Sequence, residues 1–587
     1  MIQSFVYSGH SSIAESGGVS SIRMAPNLAR EPVAFDAELR DPVRFREAIS
    51  ALHEVVTSDL KFRKRDKTAY LAWKKKQGER ENEIERQAYR QATEQVAAAK
   101  NIAVPAVLEK TFNTARTHYW GLRQKYADYL RKHDPDLWRK LMPCDPVITV
   151  AEDAVLFECF SKDESAYGCL SVGRATGFSA NAELQLGTTN VDYSQELYEQ
   201  FQTLRTYRPT RFNLSPESFT VETKAASTHR EEKIDLPVPW LRGFMKLQAA
   251  MTMPTTRLQL SRECVYSLLA FLKRNIARKS PRALRFELTP GQPPRLVLEP
   301  WEKTFESHAQ PYAGPETLPI RIWGIRRLLV LARLLPILDS IEVHLLATGL
   351  PSFWVVRAGD MSFTLGLSGW TTNDFSSGSS LDLLQPLRTP SAELVVAVTG
   401  AMKSQRAATL ADIQARVNVP DEILVSAALR QLAQTGQLIF DIAANKYRYR
   451  QIMAEALGEA QLGPEDPELA GARKIIAQKK FELIDSQDGP NKLRILTGEV
   501  ESTPVEILID PDDRIKRGKC LCGHFKKYGL RNGPCRHMIA LRYCDSVQRS
   551  NALATSSANQ RNTACGYCGL AHEPDAKYCR VCGRNIG

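Results

Sequence analysis

Beyond a short polar start, apolar residues at helical spacing dominate the first quarter of the chain. Residues 1–40 begin with a segment rich in Ser, Gly and Ala, and this composition predicts a loosely attached N-terminus. From Asp41 the pattern becomes helical, and within 61–100 apolar residues recur every four positions, at Ile84, Ala88, Ala92 and Val96. A second helical pattern covers 107–141. We therefore predict a helical region over 41–146 that folds as a hairpin.

Short apolar runs that are typical of strands come next. Residues 147–235 contain VITV, AVLFECF, GCLSV and AELQL, interrupted by one helix near 195–204 and followed by a charged linker. Residues 236–388 mix helical stretches with runs such as IEVHLL and MSFTLGL, and the alternation in SFTLGL indicates a sheet with one solvated face. We predict a small mixed α/β region at 147–235 and a separate α+β scaffold domain at 236–388.

Three helical segments followed by two strand-like runs, QLIFDI and KYRYR, occupy 391–450. This order resembles the winged helix-turn-helix, whose recognition helix begins on DNA base edges. Asp421 and Glu422 at that position would repel phosphate, whereas Lys446 and Arg448 of the wing are predicted nucleic-acid contacts. A winged helix that binds protein is the alternative.

Two pairs of metal-binding residues follow an acidic linker predicted at 451–471 and three strand-like runs. The run KCLCGHFKKYGLRNGPCRH contains Cys520 and Cys522, then twelve residues, then Cys535 and His537. Three thiolates and an imidazole are ligands for a tetrahedral, structural Zn²⁺. The pattern resembles the SWIM zinc finger (Cys-x-Cys, a variable spacer, Cys-x-His), so residues 472–548 are predicted to form a SWIM finger domain.

A second set of four cysteines lies near the end of the sequence. Two Cys-x2-Cys pairs stand ten residues apart in ACGYCGLAHEPDAKYCRVCG, each followed by a glycine that permits the turn of a zinc knuckle. Residues 563–587 resemble a short zinc ribbon, which implies a second structural Zn²⁺. Its predicted ligands are Cys565, Cys568, Cys579 and Cys582.

Positive charge is concentrated around the predicted finger. The chain has a formal net charge of +12, and residues 514–549 contain ten Lys or Arg and one acid. Such a stretch is typical of a surface that contacts phosphates, although a generically basic, soluble surface is the alternative. The predicted nucleic-acid contacts there are Lys516, Arg517, Lys519, Lys526, Lys527, Arg531 and Arg536.

Composition excludes several classes of protein. The N-terminus lacks the charged start and apolar core of a signal peptide, and charges interrupt the most apolar run, 323–350, so no membrane span is predicted. Clustered cysteines indicate metal binding in a reducing compartment, and we expect a cytoplasmic protein. No catalytic constellation is evident, because His344 has no nucleophile spaced to partner it. We predict a protein that is not an enzyme.

The stretches GTTNVDYS, VPWLRGFMKLQAAMTMP, SPRALRFEL and FTLGLSGWTTNDFS are similar to those of bacterial SWIM zinc finger proteins. This resemblance implies a bacterial source and, as a protein partner, a MoxR-type AAA+ ATPase. Together the patterns predict a multidomain α+β protein: a helical region, central mixed domains, a winged helix, a SWIM finger and a zinc ribbon. Its expected role is nucleic-acid binding, and a protein-interaction scaffold is the alternative.

Overall fold

The computed structural model describes residues 12–16, 19–24, 33–57, 146–214, 238–369, 375, 390–452 and 467–545, with short gaps inside these ranges, and scattered helical positions between 111 and 133. Its strands are β1 (Ser12–Ser16), β2 (Val19–Met24), β3 (Ala34–Leu39), β4 (Val147–Val150), β5 (Ala154–Phe160), β6 (Ala166–Gly173), β7 (Glu183–Gln185), β8 (Gly187–Asn190), β9 (Thr210–Leu214), β10 (Thr256–Leu260), β11 (Leu284–Glu287), β12 (Arg295–Leu298), β13 (Lys303–Glu306), β14 (Ile320–Ile322), β15 (Ser340–Leu345), β16 (Ser352–Ala358), β17 (Met361–Leu367), β18 (Ala407–Ala408), β19 (Leu438–Asp441), β20 (Lys446–Tyr449), β21 (Phe481–Gly489), β22 (Leu493–Val500), β23 (Thr503–Ile509) and β24 (Ile515–Cys520).

The helices are distributed along the whole described chain. They are α1 (Pro42–Thr57), α2 (Arg174–Gly177), α3 (Gln195–Phe201), α4 (Val238–Met251), α5 (Arg262–Arg274), α6 (Ala392–Gln405), α7 (Leu410–Val417), α8 (Glu422–Gln434), α9 (Pro467–Ala477), α10 (Gly523–Tyr528) and α11 (536–545), with a 3₁₀ helix at Ile325–Arg333. None of these described helices has the length and apolar character to cross a bilayer. The protein is thus mixed α/β, as the patterns predict at this coarse level.

An eight-stranded antiparallel sheet combines two regions that the sequence analysis separates. Its order is β10-β15-β16-β17-β6-β5-β4-β8, and the junction lies between β6 and β17, where Leu170 stands opposite Phe363. Both residues are buried in the same core. The predicted division into 147–235 and 236–388 is therefore wrong, because the two ranges are hydrogen-bonded to each other within one sheet.

Both faces of the eight-stranded sheet are covered. Along β5, Phe157 packs on the face shared with α1, α5 and the 3₁₀ helix, whereas Leu156 packs on the face shared with α4. Alternate residues of a strand point to opposite faces, so a strand buried on both sides is apolar at nearly every position. This explains the run AVLFECF in β5, whose residues are all buried.

A five-stranded sheet, in the order β1-β2-β9-β3-β7, incorporates the N-terminal residues. Phe35 of β3 is fully buried, with its ring 4.8 Å from Phe178 and 6.1 Å from Phe212, centroid to centroid. The prediction of a loose N-terminus over 1–40 is therefore wrong for its strands. Likewise, α1 packs against β5 and β6 instead of belonging to a separate helical region at 41–146.

Residues 391–450 form three helices, α6, α7 and α8, and a three-stranded sheet in the order β18-β20-β19. The elements lie where the sequence pattern places them. The β19–β20 hairpin also packs on the eight-stranded sheet, because Ile439, Ile442 and Ala443 share a core with α4. Phe440 N–H donates to the side chain of Gln248 on α4 at 2.6 Å. This unit is consequently attached to the central sheet by burial as well as by the chain.

The C-terminal described unit is a four-stranded meander, β21-β22-β23-β24, packed against α9 and α11. Leu496 and Ile507 of the sheet are buried with Ile475 of α9 and Leu541 of α11. The linker predicted at 451–471 is wrong at both ends within the described residues. Ile452 is fully buried in the core around α4, and residues 467–471 are the first turns of α9.

Candidate metal centre and basic surface

The four ligands predicted for the finger come from three elements that converge. Cys520 ends β24, Cys522 is the N-cap of α10, Cys535 immediately precedes α11, and His537 lies in the first turn of α11. Alternate residues of an extended segment point to the same side. Leu521, between the first two ligands, therefore points away and is 63% exposed.

The structure brings these four side chains together. One ligand atom from each of Cys520, Cys522, Cys535 and His537, the ligand cluster below, lies within 4.8 Å of all the others. The Cys520 sulfur is 3.6 Å from Nδ1 of His537. Tetrahedral Zn²⁺ with bonds of about 2.3 Å to sulfur separates its ligand atoms by roughly 3.8 Å. The arrangement thus fits a four-coordinate metal.

The chemistry of the donor set also favours a cation. Burial raises the pKa of the Cys520 and Cys535 thiols and lowers the pKa of the His537 imidazole. Burial alone thus keeps the cysteines protonated as neutral thiols. A metal ion binds thiolates, so its coordination would release the thiol protons and neutralise the buried negative charge. Three sulfurs and one imidazole nitrogen suit Zn²⁺, and four protein ligands leave no open position for a substrate.

Two of the sulfurs also cap helices. The Cys522 sulfur accepts a hydrogen bond from Phe525 N–H at 3.4 Å, and the Cys535 sulfur accepts one from Met538 N–H. Backbone donors at a helix start favour negative charge on the atom that they face. These contacts therefore favour the thiolate and hold both side chains toward the cluster.

A glutamate from α9 fixes the loop that carries Cys535. The Glu468 carboxylate accepts hydrogen bonds from Arg536 N–H at 2.8 Å and from the Arg536 guanidinium at 2.9 Å. His524, another histidine near this site, has Nδ1 3.7 Å from the same carboxylate and is outside the ligand cluster. Glu468 lies in the predicted linker, and no sequence pattern connects it with a residue 68 positions later.

Exposed cations flank the ligand cluster on two elements. Lys516 and Arg517 are exposed on β24, an edge strand of its sheet among the described residues. Lys526 and Lys527 are exposed on α10, and the Lys527 ammonium lies 5.0 Å from the centroid of the Tyr528 ring. These four residues form what we call the basic surface.

The other predicted nucleic-acid contacts in this unit have different surroundings. The exposed Lys519 ammonium lies 3.1 Å from the Glu506 carboxylate, and the half-buried Arg536 is held by Glu468. Arg531 and the second cysteine set, Cys565, Cys568, Cys579 and Cys582, fall outside the described residues. The predicted zinc ribbon at 563–587 stays a prediction.

Arg448 of the predicted wing is not placed to contact phosphate. Its side chain is buried, with Nε and Nη2 donating to Asp153 at 3.0 and 2.9 Å and Nη1 donating to Asp441. These carboxylates hold the pKa of Arg448 above its usual range against the opposing effect of burial. The prediction for Arg448 is therefore wrong, because the guanidinium joins the hairpin to the loop before β5. Lys446 is half-exposed.

The acid at the start of α8 has a structural role. The Asp421 carboxylate accepts hydrogen bonds from Ile423 N–H at 3.0 Å and Leu424 N–H at 3.3 Å, so it is an N-cap. Asp421 therefore stabilises the start of α8, although its negative charge at this position repels phosphate. Glu422 beside it is exposed.

No family model matches the sequence, and no curated protein matches it. Among solved structures, the chain is similar to the Proliferating Cellular Nuclear Antigen of Entamoeba histolytica, with 11% identity and a TM-score of 0.26 over 39% of this chain and 91% of that chain. The PCNA of Thermococcus kodakaraensis gives 11% identity and a TM-score of 0.26 over 38% and 90% of the two chains. Scores this low carry no conclusion about fold or function.

Proposed function

We propose that this chain is a non-enzymatic zinc-binding protein that contacts the phosphate backbone of nucleic acid through its basic surface. The observation that carries the proposal is a closed set of metal ligands on the same elements that display exposed cations. Lys516 and Arg517 precede the first ligand on β24, and Lys526 and Lys527 follow the second on α10. A bound zinc ion would hold these two elements together and present four positive charges on a rigid support.

The finer assignments belong to the same proposal. We assign a SWIM finger to 472–548, a winged helix to 391–450 and a zinc ribbon with a second Zn²⁺ to 563–587. Three thiol ligands must stay reduced, so we place the protein in the cytoplasm. Binding is directed at the phosphate backbone and is weakly specific with respect to nucleic-acid sequence. The start of α8 carries the acids Asp421 and Glu422, and Arg448 of the wing is held in buried ion pairs.

A salt titration of binding tests the proposal. Each phosphate neutralised by Lys or Arg gives a log–log slope of about −0.9 on duplex DNA, so four contacts lose on the order of a hundredfold in affinity between 50 and 200 mM salt. We expect this steep dependence on two unrelated duplexes with similar affinities. Absence of binding at low salt would overturn the nucleic-acid part, while zinc analysis of the same sample reports on the metal part independently.

A protein-interaction scaffold is the second candidate, favoured by exposed apolar side chains in the metal-binding unit, residues 467–545. The most exposed are Leu521 and Ile484, at 63% and 64%, and each is a candidate contact for a protein partner. The partner implied by the resemblance is a MoxR-type AAA+ ATPase. This function would be favoured if the chain bound such a partner with an affinity that hardly weakens with salt, and if Leu521→Ser abolished that binding.

A further inference from the structure

The turn between β22 and β23 places a carboxylate behind the metal-ligand histidine. It consists of Glu501 and Ser502, with φ angles of 47° and 57°, and it connects the paired residues Val500 and Thr503. A two-residue turn with both φ angles positive favours Asn and Gly. Residues with larger side chains are disfavoured in this left-handed region. Glu501 therefore occupies a position that the turn itself does not favour.

The two ring nitrogens of His537 face different groups. Nδ1 lies 3.6 Å from the Cys520 sulfur, inside the ligand cluster, and Nε2 lies 3.6 Å from the Glu501 carboxylate. The imidazole is only 10% exposed, so few other partners can reach Nε2. The geometry thus places Nδ1 toward the metal ligands and Nε2 toward the Glu501 carboxylate.

The backbone of Glu501 is itself fixed. Its N–H donates to the carbonyl of Lys480 at 3.0 Å, which ties the turn to the segment between α9 and β21. The backbone position of Glu501 is therefore set by the hairpin on one side and by this hydrogen bond on the other.

We infer that Glu501 is a positioning residue for the zinc site. Its carboxylate faces Nε2 and favours the proton on that nitrogen, so the lone pair of Nδ1 faces the Cys520 sulfur and the imidazole becomes a better donor. A carboxylate in this role fixes the tautomer and the ring orientation of a metal-ligating histidine. The inference rests on the proposed zinc site and adds a residue from a hairpin remote in sequence.

Zinc competition between the full-length protein and a chromophoric chelator tests this role. In every sample, Cys565→Ser and Cys579→Ser remove the second predicted site, so that a single metal ion is reported. We expect Glu501→Asn to lower zinc affinity by about 10- to 100-fold. Glu501→Gln retains an acceptor without the charge and should lose less. The absorption bands of bound Co²⁺ should shift in Glu501→Asn, since the imidazole geometry changes.

Ser502→Asn is the matched control, because it introduces the same turn-favouring residue at the neighbouring positive φ without removing the carboxylate. We expect it to bind zinc like the parent. Equal affinities for Glu501→Asn, Ser502→Asn and the parent would overturn the inference, and so would an equal loss in both variants. A parent that binds no zinc would instead refute the proposed metal site.

Discussion

The guanidinium of Arg450 donates to the carboxylate of Glu158 at 2.8 Å, and both side chains are almost completely removed from solvent. Arg450 immediately follows β20, and Glu158 lies within β5 of the central sheet. The Tyr167 hydroxyl donates to the same carboxylate oxygen at 2.8 Å, and the Arg450 guanidinium lies 4.9 Å from the Phe244 ring centroid. The pair therefore closes the interface between the three-helix unit and the sheet.

Arg450→Ala should weaken this interface strongly. Burial already raises the pKa of Glu158, and removing its cationic partner leaves a buried acid uncompensated. Breaking a buried pair on one side costs about 3–5 kcal/mol. Hydrogen exchange of β5, β19 and β20 should accelerate accordingly. Arg416→Ala removes an exposed guanidinium from the same unit and should leave exchange unchanged; equal exchange in the two variants would contradict the role of the pair.

His344 lies on β15, next to the edge strand β10, and predicts that this part of the sheet is sensitive to acid. Burial lowers its pKa to about 4, from about 6.5 for a free imidazole; Glu342 opposes this shift, and Arg257 and Arg357 add to it. Since the unfolded chain binds the proton first, the stabilisation of about 3 kcal/mol is complete above pH 6.5 and is lost as the pH falls toward 4.

Hydrogen exchange of residues 340–345 at pH 7 and pH 4.5, corrected for intrinsic rates, measures the effect of His344. We expect the protection to fall less on acidification in His344→Asn than in the parent. His308→Asn changes a largely exposed histidine and should behave like the parent. Identical pH dependence in all three proteins would show that other groups control the acid sensitivity of β15.

Cys535→Ser should remove one of two zinc ions and unfold only the metal-binding unit. A structural zinc contributes on the order of 10 kcal/mol to a small domain. Elemental analysis should give two zinc ions for the parent and one for the variant, and proteolysis should cut within 467–545 but not within 391–450. Cys544→Ser, a buried thiol outside the ligand cluster, should retain both ions. Loss of protection over 391–450 would show that the two units are coupled.

Changing Lys526 and Lys527 together to Ala should weaken nucleic-acid binding for all sequences about equally. Two fewer phosphate contacts flatten the log–log salt slope by about 1.8 on duplex DNA. Lys273→Ala with Arg274→Ala removes the same charge from α5, outside the metal-binding unit, and should keep the parent slope. If both double variants shift the slope alike, net charge and not the basic surface governs binding.

Local patterns predicted the parts of the protein that depend on neighbours in sequence. The helices and strands of 391–450 and the convergence of Cys520, Cys522, Cys535 and His537 follow from spacing alone. The pairing of β6 with β17 does not follow from the sequence pattern. Both strands are apolar at nearly every position, so the pattern of apolar residues does not indicate which strand pairs with which. Ion pairs are equally hard to predict from sequence. The carboxylates that bind Arg448, those of Asp153 and Asp441, are identified only once the fold is known.

The pairing of β6 with β17 has a consequence for synthesis on the ribosome. Roughly 190 residues separate the end of β6 from the start of β17, and chains grow at about 5–20 residues per second. The apolar edge of β6 thus stays unpaired for on the order of 10 to 40 seconds before β17 has been synthesised. Chains that stop before Met361 expose that edge permanently, so truncated products should aggregate and engage chaperones even though every residue of β6 is present.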